Sequence, residues 1–150
     1  MKNVLVWLLL VCSAPCIADD YKVIEFTKSN HAKFNDRIYL VGTRSLGEPA
    51  NFLVTRGQFN ETKLWDGEGK PGISIKEAIT AAKWFYREYG NLSPIKVDLR
   101  RAVGEDMIIW HYTVELAKSP EKKIVPNEDI LRVVILTSGE IVAPYYPGRK

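Results

Sequence analysis

The stretch Ser74-Ile75-Lys76-Glu77-Ala78-Ile79-Thr80-Ala81-Ala82-Lys83-Trp84-Phe85-Tyr86-Arg87-Glu88-Tyr89-Gly90 is the part of the chain from which the fold is read. Ser74 stands where an N-cap belongs, and Glu77 three residues on completes a capping box. Pro71-Gly72 marks the turn into the element, and Gly90 takes the place of a left-handed C-terminal residue. Ile75, Ala78, Ile79, Ala82, Phe85, Tyr86 and Tyr89 recur at helical spacing. The sequence therefore predicts a helix from Ile75 to Tyr89 with one apolar stripe that must be buried against another layer.

Beyond Gly90 the period changes to two. Ile95-Lys96-Val97-Asp98-Leu99-Arg100 alternates apolar and charged residues, as a half-buried strand does. Val103-Gly104-Glu105-Asp106 reads as a turn, and Met107 to Leu116 as the best strand in the chain. In it Ile108, Trp110, Tyr112, Val114 and Leu116 share one face, and Ile109, His111, Thr113 and Glu115 the other. Ser119 to Asn127, with Pro120 and Pro126, is a polar loop. Ile130 to Leu136 is apolar on both faces apart from Arg132, as suits a central strand. Thr137-Ser138-Gly139-Glu140 is a hairpin turn, and Ile141 to Ala143 returns until Pro144. Four antiparallel strands thus follow the helix, which is expected to lie on the Trp110 face.

Toward the N-terminus the pattern is weaker. Tyr21 to Phe26, Ile38 to Thr43 and Phe52 to Thr55 read as strands, and Asp66 to Gly72 as a glycine-rich connector. The expected fold is α+β: one long amphipathic helix packed on an antiparallel sheet, with an N-terminal β-rich extension. The extension covers 19–72, the helix-plus-sheet unit 73–144, and a tail 145–150.

Residues 1–18 read as a cleavable signal peptide. Lys2 precedes the apolar run Val4 to Val11, and Cys16-Ile17-Ala18 offers small residues to a peptidase, leaving Asp19-Asp20 as the new start. The run is shorter than the roughly 20 residues a membrane-spanning helix needs. The protein is accordingly expected to be secreted or periplasmic, with no membrane span after cleavage. Both cysteines, Cys12 and Cys16, fall in the leader. Val11 and Pro15 precede them where lipid attachment favours Gly, Ala or Ser, so the exported chain is read as thiol-free. Its roughly 130 residues suffice for a core without staples.

Ser74 to Ala143 resembles a PepSY-type domain. The resemblance rests on Lys76-Glu77-Ala78-Ile79-Thr80-Ala81-Ala82, on Ile109-Trp110-His111-Tyr112-Thr113-Val114, and on the closing hairpin from Val133 to Val142. It implies a helix followed by antiparallel strands in an exported, non-catalytic module that inhibits peptidases or regulates partners. The acid such modules carry ahead of the closing turn is replaced here by Ile135 and Leu136, and Ser138 stands between Thr137 and Gly139. Cystatin-like inhibitors and the cone-shaped folds of nuclear-transport-factor type share the helix-on-sheet layout.

The formal charge is +3, or about +2 without Lys2, and bases are interspersed with acids rather than drawn into a stripe. That argues against a nucleic-acid partner. The chain has no nucleophile elbow, Walker loop, dinucleotide fingerprint or His-Glu-x-x-His. No cofactor or metal is therefore expected; Asp66 and Glu68 give an incomplete calcium-loop spacing. Asn60-Glu61-Thr62 and Asn91-Leu92-Ser93 are formal glycosylation triplets.

Four residues stand out as binding candidates. Trp84 points nearly opposite the apolar stripe, among Lys76, Glu77, Thr80, Lys83 and Arg87. It is either an anchor for a partner or a ring over which the first half of the chain folds, through Trp65 or Phe52. His111 is either a proton-handling or binding residue on an open sheet face, or a strand residue with a hydrogen-bonded ring. His31 reads as a loop residue. Tyr145 and Tyr146 in the tail pack on the domain or present a short motif. The expected function is an exported non-catalytic binding module that regulates or inhibits another exported protein. The alternatives are an immunity-type protein that neutralises a toxin, or a small hydrolase or ligand carrier with a pocket on the His111 face.

Overall fold

A computed structural model describes residues 21–26, 37–104, 106–118 and 125–149. The leader over 1–18 with Cys12 and Cys16, His31, Glu105 of the predicted turn, and residues 119–124 of the predicted polar loop lie outside the described residues. The elements in chain order are β1 (Val23–Ile24), β2 (Arg37–Ser45), β3 (Glu48–Thr55), α1 (Ile75–Phe85), β4 (Ser93–Val103), β5 (Ile108–Ala117), β6 (Ile130–Leu136) and β7 (Ile141–Val142). Short 3-10 turns occupy Glu61–Lys63, Arg87–Tyr89 and Asn127–Asp129.

Five strands form the main sheet in the order β1-β7-β6-β5-β4, and β2 and β3 form a separate hairpin. The helix lies on one face of the sheet and the hairpin on the other. Ala78, Ala81 and Ala82 of α1, with Tyr86 just past its end, cluster with Tyr112, Val114, Leu116, Leu131, Val133, Ile135 and Ile141. Ile38, Leu40, Ala50, Phe52 and Val54 of the hairpin cluster with Ile24, Ala102, Ile109, Val134, Leu136 and Val142. Side chains alternate across a strand, so β5 and β6 feed both clusters and the sheet is buried between two covers.

This corrects the expectation of one long helix on an antiparallel sheet. Among the described residues 45% are in strands and 18% in helices, so strand dominates. The helix starts at Ile75, where Ser74 Oγ accepts from Glu77 N and Glu77 Oε2 accepts from Ser74 N. It ends at Phe85, four residues before Tyr89. The physical reason is Tyr86: its ring is buried against the sheet and its hydroxyl donates to Arg132 O at 2.5 Å, which takes the backbone out of the helical region (φ −98°, ψ 20°). A single 3-10 turn follows, and Gly90 at φ 83° closes it. The sheet is mixed because β1 joins β7 in parallel, with Ile141 N donating to Lys22 O and Ala143 N to Ile24 O, both at 2.9 Å. Two residues per strand are too few to show a period.

The hairpin is held by its tip and by its face. Leu46 (φ 52°) and Gly47 (φ 76°) form its two-residue turn, and a positive φ at both matches the twist of the flanking strands. Leu46 N donates to Ile130 O at 2.8 Å and Gly47 N to Asn127 O at 3.1 Å, which ties the tip to the start of β6. Ser45 Oγ accepts from Arg132 N at 3.0 Å, and Arg132 pairs with Glu115 across β5–β6 at 2.8 Å. Arg132 also donates to Arg44 O. The one polar interruption of β6 thus joins hairpin and sheet.

Candidate functional site

His111 sits in β5 opposite Arg100 on β4 and Leu136 on β6. Its side points at the hairpin, and it has 0% exposure. Nδ1 lies 3.4 Å from Ile109 O, and Nε2 has no hydrogen-bond partner among the described residues. Burial removes solvent from the charged form and takes the pKa from 6.5 down to about 4, opposed by the Ile109 contact and aided by the charge of Arg100. The hairpin therefore occupies the face on which the alternative reading, a small hydrolase or ligand carrier, places a pocket.

Trp84 is half-buried at the flank of α1. Tyr21, just ahead of β1, lies against it with ring centroids 5.2 Å apart and planes tilted by 54°. Arg87 places its guanidinium 4.4 Å from the Trp84 ring centre and donates to Trp84 O at 3.0 Å. The ring is therefore met by the N-terminal segment, though by Tyr21 rather than Trp65 or Phe52. Trp65 instead tilts against Trp110, 5.1 Å away, and Gly67 is packed so closely on that indole that a Cβ would meet Nε1 at 3.2 Å. Phe52 is buried in the hairpin cluster.

Tyr145 pairs with Asn51 of β3 through two backbone hydrogen bonds of 2.8 Å, and its ring meets Phe26 edge-on at 5.2 Å. Tyr146 packs against the hairpin cluster beneath Arg149, which is 4.1 Å from its ring centre. Arg149 in turn bonds Glu48 at 2.8 Å and lowers that carboxyl's pKa. The tail thus lies along β3. The four candidates sit in three separate places: the helix flank, the buried hairpin face and the edge of β3.

Two open surfaces were not singled out in the sequence. One is a cleft of about 640 Å³ lined by Tyr21, Ile73, Ser74, Lys76, Glu77 and Thr80. Tyr21, one of its walls, is the ring that meets Trp84, and Ile75, between the lining residues Ser74 and Lys76 in sequence, is exposed. Tyr21 also walls a second cleft of about 490 Å³ with Lys22, Asn60, Lys63, Ser138, Gly139 and Glu140. The Glu140 carboxylate there accepts from Asn60 N at 3.1 Å and from the Ser138 hydroxyl, so its oxygens are engaged. The other surface is the rim of the sheet at β4, where Leu99 (40%), Val103 (69%) and Ile108 (48%) stay exposed. On the same strand Asp98 is held below its ordinary pKa by bonds from Lys96 (2.9 Å) and Arg100 (3.0 Å). Tyr21 gave no signal because it lies in a two-residue strand's approach. The alternation of β4 named its apolar face but not the width of the layer covering it.

Among the described residues no group of three or more His, Cys, Asp or Glu is placed to hold a metal, and no helix is long and apolar enough to cross a membrane. Comparison with protein-family models, with curated proteins and with solved structures gives no match to this chain.

Proposed function

We propose that the protein is an exported, non-catalytic binding module that regulates or inhibits another exported protein, contacting it through the flank of α1. The observation that carries this reading is the Tyr21–Trp84 pair beside the Ile73–Thr80 cleft. Two large rings held against each other, an exposed isoleucine and a rim of Ser74, Lys76, Glu77 and Thr80 combine an apolar anchor with a polar border. Protein-binding surfaces are built in this way. The resemblance of residues 74–143 to exported regulatory modules supports the same reading from the sequence.

The test is affinity capture from envelope and secreted fractions, with bound proteins identified by mass spectrometry. One stoichiometric partner is expected, lost with Trp84→Ala and with Tyr21→Ala. It should be kept with Tyr39→Ala, an exposed tyrosine on the hairpin. A blank capture at high bait concentration, or a partner held equally by all three variants, overturns the proposal.

A further inference from the structure

The rim at β4 supports an inference independent of the helix-flank reading. β4 is an 11-residue strand at the end of the sheet, and among the described residues no strand pairs with its outer side. Edges of this kind are usually blunted by charged side chains, proline, bulges or short length. Here Pro94 and the register shift between Pro94 and Lys96 sit together at the N-terminal end, and pairing with β5 is regular from Lys96 to Val103. The regular part carries Val97, Leu99, Arg101 and Val103 on its helix side and Lys96, Asp98, Arg100 and Ala102 on its hairpin side, so charge alternates along the hairpin side.

We propose that the partner at this edge is a second copy of the chain, paired antiparallel through β4 with Leu99 opposite Leu99. The argument is self-complementarity. An antiparallel pair related by a two-fold axis perpendicular to the sheet keeps each side chain on its own face, so only registers centred on a residue are allowed. Centred on Leu99, Asp98 of each copy faces Arg100 of the other, and Leu99 meets itself on the opposite face. Arg101 then falls opposite Val97, and Val103, the most exposed large apolar residue, comes level with Ile95 in the register shift. Centring on Asp98 sets the two Asp98 carboxylates against each other, and centring on Arg100 does the same with two guanidiniums. Like charges directly opposite destabilise a pair. Centring on Val97 pairs Lys96 with Asp98 but carries Val103 past the end of the opposing strand. Leu99 alone satisfies both the charge and the apolar residues. The same axis leaves both helices on one side of a continuous sheet, so both Tyr21 clefts face the same way.

The experiment is sedimentation velocity on the full chain as its host processes it, at concentrations up to about 100 μM. The wild type is expected to dimerise. Asp98→Arg sets like charges opposite each other twice per dimer and should raise the dissociation constant at least about tenfold. The double variant Asp98→Arg, Arg100→Asp restores opposite charges in the Leu99 register and no other, and should return the constant to within about threefold of wild type. Arg100 is exposed and Asp98 partly exposed, and circular dichroism checks that the variants fold. A wild type that stays monomeric overturns the proposal, whether or not the edge takes a strand of another protein. So does a reversal without effect, or a double variant as weak as the single one.

Discussion

The two faces of the main sheet are buried by different means, and the difference explains which surface is left open. On the helix side α1 buries the small residues Ala78, Ala81 and Ala82, with Tyr86 just past its end, and the sheet supplies most of the bulk through Tyr112, Leu116, Leu131 and Ile135. On the hairpin side the cover brings the bulk itself, with Phe52, Val54, Ile38 and Leu40. A single helix is about 10 Å across. Five strands about 4.8 Å apart make a surface of roughly 19 Å. One helix therefore cannot reach both edges, and the rim goes uncovered on that side. On the hairpin side the same strand is covered: Ala102 of β4 clusters with Ile38 and Leu40 and is 6% exposed, whereas Leu99 on the helix side is 40% exposed.

If the hairpin is a true half of the core, removing its largest side chain should unfold the protein rather than loosen a flap. Phe52 has no exposure, and Phe52→Ala is expected to cost about 3–5 kcal/mol in urea unfolding, with a single transition. A cost below about 1 kcal/mol, or an early separate transition of the hairpin, would mean that the two covers are not equivalent.

The same face carries the acid sensitivity. In the folded chain His111 stays neutral down to about pH 4, whereas an unfolded imidazole protonates near 6.5. Between those values the unfolded state binds more protons, so acid favours unfolding. The contribution is complete above pH 6.5, falls by about 1.4 kcal/mol per pH unit, and is lost below about 4, for a total near 3 kcal/mol. Urea unfolding across pH 4–7 should show this slope, and His111→Leu should flatten it. A variant with an unchanged slope would place the titrating group elsewhere.

The helix side was the legible one. Ser74, Glu77 and Gly90 announce both ends of an element through local chemistry, and the sequence located the start at Ile75. Its C-terminal turn was misread because the Tyr86 stripe position is satisfied equally by a continuing helix and by a ring turned into the sheet. The hairpin side was harder to read. His111, Thr113 and Glu115 look solvent-facing beside the apolar residues of β5, and nothing local says that β2 and β3 lie over them. Arg132 reads as an interruption in β6, yet Glu115 and the backbone of Arg44 and Ser45 are its partners, and these are separated from it by up to 88 residues. Trp84 was legible as an anomaly, but its neighbour Tyr21 was not, because a contact made from just ahead of a two-residue strand leaves no pattern.

The smallest expected effect is also the most local and sharpens the contrast between the two covers. The start of α1 is fixed by two reciprocal bonds, Ser74 N to Glu77 Oε2 at 2.6 Å and Glu77 N to Ser74 Oγ at 3.3 Å. The first of these lowers the pKa of Glu77 most. Ser74→Ala removes the hydroxyl acceptor and leaves the Glu77 N–H to water, which should cost about 1 kcal/mol. Because the first turn is exposed at Ser74 through Glu77, the loss should stay there. Hydrogen exchange of the Glu77 and Ala78 amides should quicken, and the amides of β3 at Phe52 and Val54 should change only by the global shift. Faster exchange across the hairpin as well would show that helix and hairpin unfold as one unit through the shared strands β5 and β6. The two covers would then be coupled through the sheet rather than independently attached to it.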